Sequence, residues 1–276
     1  EHCKSLQDHD VKPDGTAFAY VYETNDEEMT KVVDQIQAMF ANTNALSPLA
    51  FPSLRYMENC ISAMCGDLLH LPSEMGSCGV LTSGGTESII CALKAHRDRA
   101  TDLRGISTPE IIAPITVHPA FTKGCHLLGI KIHLIPLQSD PSEGVDMSQY
   151  AASINSNTIL LVGSAPAYPH GLLDPISQIC ELSKNHNNLP VHVDACIGGF
   201  FLPFVEMLQT AEQKRTNPMP LWDFRLPEVC SISLDLHKYG YTPKGASCIL
   251  YRSTDLRKYQ YYAQANWPGG LFVSPS

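Results

Sequence analysis

The feature that most constrains the fold is an alternation of short apolar strands with helical segments, which begins at Cys78. The predicted strands are residues 79–82, 110–117, 131–137, 158–163, 190–194, 229–234 and 246–251. The predicted helices between them are residues 86–100, 120–128, 147–154 and 176–187. Because a crossover helix is what joins two parallel strands, this order predicts an α/β fold with a mainly parallel seven-stranded sheet and helices on both faces.

Two helical patterns precede this region. Apolar residues recur at helical spacing over residues 26–40 and again over residues 54–69, which predicts two amphipathic helices. We therefore expect an N-terminal extended and helical segment over residues 1–70 and an α/β domain over residues 71–276.

Charge and cysteine content exclude several classes of protein. Lys and Arg number 19 against 28 Asp and Glu, a net charge of −9, and no basic run occurs, so neither a nucleic-acid groove nor a polybasic membrane patch is expected. The ten cysteines form no CxxC pair, which argues against a zinc site or a disulfide framework and favours a cytosolic or cytosol-facing location. No apolar run approaches the ~20 residues of a membrane span, so any membrane contact is expected from segments outside this sequence.

A glycine turn lies between the first predicted strand and its helix. Gly84, Gly85 and Thr86 stand where a helix begins, and the N–H groups and dipole of a helix start favour a phosphate. The alternative is an ordinary glycine turn with a Thr or Ser cap. The lysine of a P-loop and the spacing of a dinucleotide fingerprint are both absent from this turn.

Three further residues follow predicted strands, at the sheet edge where open α/β folds bind ligands. Asp194 ends a buried strand and needs a cationic partner, although a helix cap or an ion pair with an arginine would also explain it. Lys238 follows His237 after another strand, where a lysine is either solvated or held as a nucleophile. His118 follows a third strand, and a single histidine is more often structural than functional.

Together these features are what a protein needs to hold pyridoxal 5′-phosphate: a lysine for the Schiff base, a carboxylate for the ring nitrogen and a helix start for the phosphate. At this point the chain resembles the group II pyridoxal-phosphate decarboxylase family, and within it the sphingosine-1-phosphate lyases. The resemblance covers most of the chain and is carried by residues 51–55, 82–88, 169–171, 192–200 and, most specifically, the run DLHKYGYTPKG at 235–245.

The resemblance implies the aspartate aminotransferase (type I) fold and a set of roles. Lys238 would form the Schiff base, Asp194 would pair with the pyridinium nitrogen, and His118 would stack on the ring. The other cofactor-binding positions that it implies are Gly84, Gly85, Thr86, Ser233, His237 and Gly270. The catalytic or substrate-side positions that it implies are Tyr22, Asn44, Ser47, His170, Tyr241 and Lys244.

The implied reaction is a retro-aldol cleavage of a phosphorylated sphingoid base to a long-chain aldehyde and phosphoethanolamine, in a homodimer with shared active sites. The general base is left open among Lys238, Lys244 and a Tyr or His acting through water. No metal is implied.

The chain departs from the family pattern in two places. Ser47 stands where the lyases commonly carry a histidine, which puts the role of this position in substrate-phosphate binding in doubt. The small C-terminal domain of type I enzymes is missing, so we expect the chain to be a fragment whose large domain is incomplete at its C-terminus.

Two rival interpretations remain. Residues 222–227 and 192–200 also resemble glutamate decarboxylase, which would make the chain an amino-acid decarboxylase. The non-enzyme alternative is an inactive scaffold fragment without cofactor.

Overall fold

One seven-stranded sheet organises the chain in a computed structural model that describes residues 10–11, 19–45, 50–72 and 78–275. The strands are β1 (Gly79–Thr82), β2 (Glu110–Pro114), β3 (Lys131–Ile135), β4 (Thr158–Ser164), β5 (Val191–Asp194), β6 (Val229–Leu234) and β7 (Ser247–Tyr251). Their spatial order is β1-β7-β6-β5-β4-β2-β3. Only β7 runs antiparallel to its neighbours in this sheet, so the predicted mainly parallel sheet is confirmed.

The helices connect these strands largely as the periodicity predicts. They are α1 (Glu27–Phe40), α2 (Pro52–Leu68), α3 (Gly85–Arg104), α4 (Ala120–Leu128), α5 (Met147–Ala152), α6 (Ile176–Asn185), α7 (Leu202–Leu208), α8 (Ala211–Thr216) and α9 (Thr254–Arg257). A hairpin of β8 (Tyr262–Gln264) and β9 (Phe272–Ser274) follows. The last three helices and the hairpin were not predicted, because segments this short show too few turns of a periodic pattern.

Several strands and helices begin or end at other residues than predicted. The strand predicted over 110–117 ends at Pro114, after which the chain turns. The strand predicted over 131–137 ends at Ile135, and the helix predicted to begin at residue 86 begins at Gly85.

The core lies on both faces of the sheet. On one face Leu161 and Val193 pack with side chains of α2 and α6. On the other face Leu160 and Val162 pack with side chains of α3 and α4. A Cβ at Gly163 would lie 2.4 Å from Ile176 Cδ1, so only glycine lets α6 approach β4 this closely.

The N-terminal helices differ in how they pack. No residue of α1 is buried, whereas α2 packs against β1 and β7 and contributes Cys65 to the main core. The core therefore draws on residues from both sides of the boundary expected at residue 70. Within the described ranges, no helix is both long and apolar enough to cross a membrane.

Candidate active site

A cavity of about 370 Å³ opens at the carboxyl ends of β4, β5 and β6. It is lined by Ala19, Tyr20, Tyr22, His118, Ser164, Pro166, Tyr168, Asp194, Cys196, Ile197, His237, Lys238 and Lys244. The parallel strands bring these residues together because their carboxyl ends meet at one edge of the sheet. Six of the residues expected at the site thus line one cavity: Tyr22, His118, Asp194, His237, Lys238 and Lys244.

Lys238 is anchored by a carboxylate three residues before it. Its Nζ lies 2.9 Å from Asp235 Oδ2, and Asp235 is only 3% exposed. Burial lowers the pKa of Lys238, but the adjacent Cys196 and Asp235 groups and the hydrogen bond to Asp235 raise it above its ordinary value. The amine is therefore held in the cavity as an ammonium, and Asp235 sets how readily it loses a proton.

Asp194 is fixed at the end of β5 by two donors. Its Oδ1 accepts hydrogen bonds from the Cys196 backbone N–H at 3.1 Å and from the Ser233 hydroxyl at 3.2 Å. Both bonds use Oδ1, and the Cys196 thiol lies beside the same carboxylate. The carboxylate lines the cavity.

The glycine turn comes close to the same site. A Cβ at Gly85 would lie 2.8 Å from Cys196 Sγ and 2.9 Å from both carboxylate oxygens of Asp235. Helix α3 begins here without a side-chain cap, so its first N–H groups face outward unsatisfied by any side chain. Thr86 occupies the second position of this helix.

His237 and Lys244 connect the loop after β6 to the cavity. The Ala246 backbone N–H donates to His237 Nδ1 at 3.1 Å, and Lys244 Nζ donates to the His237 carbonyl at 2.8 Å. Burial lowers the pKa of His237, and the charges of Lys244 and Lys238 lower it further. The attraction of Asp235 for the protonated ring acts in the opposite direction. Burial, together with repulsion from Lys238, also lowers the pKa of Lys244.

Aromatic rings close one side of the cavity. Lys244 Nζ lies 4.4 Å from the centre of the Tyr22 ring, a cation–π contact. Tyr22 packs edge-on against Tyr239, at 5.3 Å between ring centres, and Tyr239 in turn contacts Tyr241. Burial raises the pKa of Tyr22, so its hydroxyl stays protonated.

Some of the expected site residues do not line this cavity. Ser233 reaches it through its hydrogen bond to Asp194. A Cβ added to Gly85 would lie 2.8 Å from the lining residue Cys196, and one added to Gly84 would lie 3.7 Å from His237 Cε1. Thr86, Asn44, Tyr241, His170 and Gly270 are outside its lining. Ser47 lies outside the residues that the structure describes.

Sequence reasoning missed several residues that line the cavity, and it missed Asp235, which contacts the lining residue Lys238. No role was given to Asp235, Ser164, Tyr168 or Cys196. Asp235 directly follows an apolar strand, and an aspartate at the end of an apolar strand is the pattern that singled out Asp194. The other three lie in loops or at strand ends where no pattern distinguishes them from structural residues.

A larger cavity, of about 800 Å³, opens at the opposite edge of the sheet. His96, Arg99 and Arg104 line it together with the loop before β5, and it contains neither a lysine nor a carboxylate. Of these two cavities, only the one at the carboxyl edge has the lysine that a Schiff base requires. Within the described residues, no cluster of three or more His, Cys, Asp or Glu side chains could hold a metal ion.

Comparison with known proteins gives the family. Residues 13–266 match the pyridoxal-dependent decarboxylase conserved domain. The chain belongs to the pyridoxal-dependent decarboxylase family. Its cofactor is accordingly pyridoxal 5′-phosphate.

Within this family, the chain is similar to two sphingosine-1-phosphate lyases. The sphingosine-1-phosphate lyase of Dictyostelium discoideum is 42% identical over 252 residues, which are 91% of this chain and 45% of that protein. The structure of the Burkholderia pseudomallei sphingosine-1-phosphate lyase superposes with a TM-score of 0.86 at 38% identity, over 93% of this chain and 58% of the other. The chain thus spans about half the length of the relatives it matches.

A glutamate decarboxylase shares the fold. The Lactobacillus brevis enzyme superposes with a TM-score of 0.78 at 22% identity, over 99% of this chain and 61% of that one. At this identity the likeness shows the fold alone.

The residues at the carboxyl-edge cavity fit the cofactor. Its volume, about 370 Å³, lies in the roughly 300–1,000 Å³ range of small-molecule sites. It offers the Lys238 amine and the Asp194 carboxylate, beside a helix start that no side chain caps. An amine condenses with an aldehyde, a carboxylate accepts a hydrogen bond from a ring N–H, and the N–H groups at a helix start bind a phosphate.

Proposed function

We propose that this chain forms the cofactor-binding part of an enzyme that cleaves the C2–C3 bond of a phosphorylated sphingoid base, giving a long-chain aldehyde and phosphoethanolamine. The observation that carries the proposal is the cavity shared by Lys238, Asp194 and Lys244, in a chain 42% identical to a sphingosine-1-phosphate lyase. No observation at the site favours the rival glutamate decarboxylase activity.

Bound pyridoxal phosphate supplies a carbonyl that condenses with amines and a ring that accepts the electrons of a breaking bond. Lys238 would provide the amine that holds the cofactor's carbonyl. Asp194 would keep the proton on the ring nitrogen, His118 would lie against the ring, and His237 and the start of α3 would hold the phosphate.

The lysine and tyrosine side chains at the cavity are the groups that could transfer protons. Removal of the C3 hydroxyl proton requires a base, and the lowered pKa of Lys244 makes its neutral amine more accessible than that of an ordinary lysine. Tyr22 has its pKa raised by burial and therefore serves as a hydrogen-bond donor rather than as the base. Lys238, once released, is the second candidate base.

The substrate phosphate needs positive charge. Lys244 lines the cavity on the loop that carries Lys238 and would supply this charge as an ammonium if Lys238, rather than Lys244, is the base. Asn44, His170 and Tyr241, which lie outside the cavity lining, are proposed to reach the substrate, and the same role is proposed for Ser47.

The active site is proposed to be shared in a homodimer, with Gly270 serving the partner's cofactor. Helix α1 supports this, because Val32, Ile36 and Met39 are 53%, 49% and 74% exposed, and none of its residues is buried by the described chain. Sedimentation should then give about twice the chain mass of 30.3 kDa.

A cytosolic or cytosol-facing location is proposed, since no disulfide joins the cysteines that the structure describes.

The test has two steps. Borohydride reduction of the protein loaded with pyridoxal phosphate, followed by peptide mapping, should place the label on Lys238, and Lys238→Ala should remove it. Lys123→Ala, on the exposed side of α4, is the matched control.

The loaded protein is then given a phosphorylated sphingoid base and, separately, glutamate. Release of aldehyde and phosphoethanolamine supports the proposal. Carbon dioxide from glutamate would instead identify an amino-acid decarboxylase, and an unlabelled Lys238 would support the inactive scaffold.

A further inference from the structure

Five buried side chains form an unbroken hydrogen-bonded chain that leads away from Asp194 through the sheet. Ser233 Oγ lies 3.2 Å from Asp194 Oδ1, and His192 Nε2 lies 3.3 Å from Ser233 Oγ. On its other side, His192 Nδ1 lies 2.8 Å from Ser231 Oγ, which lies 2.9 Å from His96 Nε2. None of the five is more than 7% exposed.

The pairing of two parallel strands creates this chain. In the register of β5 with β6, His192 is opposite Ser231 and Asp194 is opposite Ser233. Because side chains alternate along a strand, these four residues point to the same face, towards α3. His96 reaches them from α3, and at the far end it lines the amino-edge cavity.

The carboxylate fixes the direction of every hydrogen bond in the chain. Burial lowers the pKa of His192 to about 4 and the pKa of His96 far below its ordinary value, so both imidazoles are neutral, with one donor and one acceptor nitrogen each. An ionised Asp194 only accepts, so the single hydroxyl proton of Ser233 points to it. The Ser233 oxygen must then accept from His192, which places the proton of that imidazole on Nε2.

The same reasoning continues to the end of the chain. His192 Nδ1 carries a lone pair, so Ser231 donates to it and accepts from His96 Nε2–H. His96 Nδ1 is then left as an acceptor. In the structure this atom is buried and has no hydrogen-bond partner among the described residues, as the final acceptor of such a chain should be.

We propose that His192 is a positioning residue that acts through Ser233 on Asp194. With Nε2–H donating to it, Ser233 cannot turn its hydroxyl proton away from the carboxylate, and hydrogen bonds that all point one way strengthen one another. The Asp194 carboxylate, which lines the cavity, is thereby held in one orientation. The inference rests on the proposed function, in which Asp194 receives the ring nitrogen of the cofactor.

The direction of the chain is tested on protein labelled with ¹⁵N-histidine. Long-range ¹H–¹⁵N correlation spectra report which imidazole nitrogen carries the proton, and His192→Gln and His96→Gln assign the two signals. Nε2–H is expected for both residues. Nδ1–H at His192 would overturn the proposal, because Ser233 would then have to donate to Nε2 and leave Asp194.

The consequence is tested through cofactor affinity, measured as the dissociation constant of pyridoxal phosphate. His192→Phe keeps the ring that packs against Phe121 but removes both nitrogens. It should weaken binding by about ten-fold or more, and Ser233→Ala should do the same. His192→Gln, which keeps a donor near Ser233, should restore most of the affinity. His96→Phe should have a smaller effect, since Ser231 still donates to His192.

Ser183→Ala is the matched control, because Ser183 is also fully buried and its hydroxyl makes one hydrogen bond, to the Leu189 carbonyl. It should lower the melting temperature without changing cofactor affinity. Equal losses of affinity in Ser183→Ala and Ser233→Ala, or no rescue by His192→Gln, would show that His192 is only structural. An unlabelled Lys238 in the borohydride experiment would instead overturn the proposed function, whichever tautomer His192 adopts.

Discussion

Lys238 Nζ and Asp235 Oδ2 lie 2.9 Å apart, and this ion pair forms within a single loop that leaves the end of β6. Asp194, the other carboxylate at the cavity, is held instead by the Cys196 N–H and the Ser233 hydroxyl. The two aspartates therefore have different partners. One holds the amine, and the other is oriented by neutral donors and remains available to a ligand.

The first prediction concerns that ion pair. Asp235→Asn should lower the pKa of Lys238, because the attraction of the carboxylate for the ammonium is lost while burial still opposes the charge. The pH midpoint for borohydride trapping of pyridoxal phosphate on Lys238 should move to lower pH. Asp255→Asn, at an exposed position, is the control. An unchanged midpoint in Asp235→Asn would show that Asp235 does not set the charge of Lys238.

The second prediction compares two adjacent glycines. Gly85→Ala should destabilise the fold by about 1–3 kcal/mol, the usual cost of overpacking, because its Cβ would meet Cys196 and Asp235 at 2.8 and 2.9 Å. Gly84→Ala should cost much less, since its Cβ would find only His237 Cε1, at 3.7 Å. Urea unfolding of the two variants measures the difference. Equal costs would mean that the space beside Gly85 is not as tight as the structure shows.

The third prediction concerns pH and Asp174, whose carboxylate accepts the Ser164 backbone N–H at 2.7 Å. Burial raises the pKa of Asp174 from 3.8 to about 6. Between these two values the folded protein keeps a proton that the unfolded chain releases, so folding is favoured at low pH and loses up to about 3 kcal/mol as pH rises through 6.

Asp174→Asn lacks this titration, so the wild type should lose stability relative to it between pH 4 and pH 7. Asp146 is the opposite case, because hydrogen bonds from Ser148 and Gln149 lower its pKa to about 2. Relative to Asp146→Asn, the wild type should lose stability as pH falls from about 4 towards 2, because the unfolded chain then takes up a proton that the folded protein does not. Urea unfolding between pH 4 and pH 7 for Asp174, and below pH 4 for Asp146, gives the two signs, and the same sign for both would refute the assignment.

The fourth prediction concerns the phosphate end of the substrate. Lys244→Ala should weaken the binding of a phosphorylated sphingoid base by about ten-fold or more, since a charge-assisted hydrogen bond contributes roughly 1.5–3 kcal/mol. Its dephosphorylated analogue should be affected much less, and the absorption of the bound cofactor should persist. Lys123→Ala is again the control. Equal losses for both ligands would make Lys244 structural or catalytic, in keeping with its hydrogen bond to the His237 carbonyl.

The sequence by itself determined the order of strands and helices and the positions of the strand-end residues. These are local properties, because period-2 and period-3.6 patterns arise within one segment and because the carboxyl ends of parallel strands share an edge. His118, Asp194 and Lys238 were therefore predicted at one edge before any contact was known, and all three line the cavity there.

Only the tertiary structure decided which of these side chains contact one another. The hydrogen bond from Ser233 to Asp194 joins residues 39 apart in sequence, and it exists because β5 and β6 pair in one register. A shift of that register by one residue would turn His192 and Asp194 towards different partners without changing the apolar pattern that predicted the strands. Register depends on the packing of the whole sheet between α3 and α6, and that packing is a property of the assembled chain.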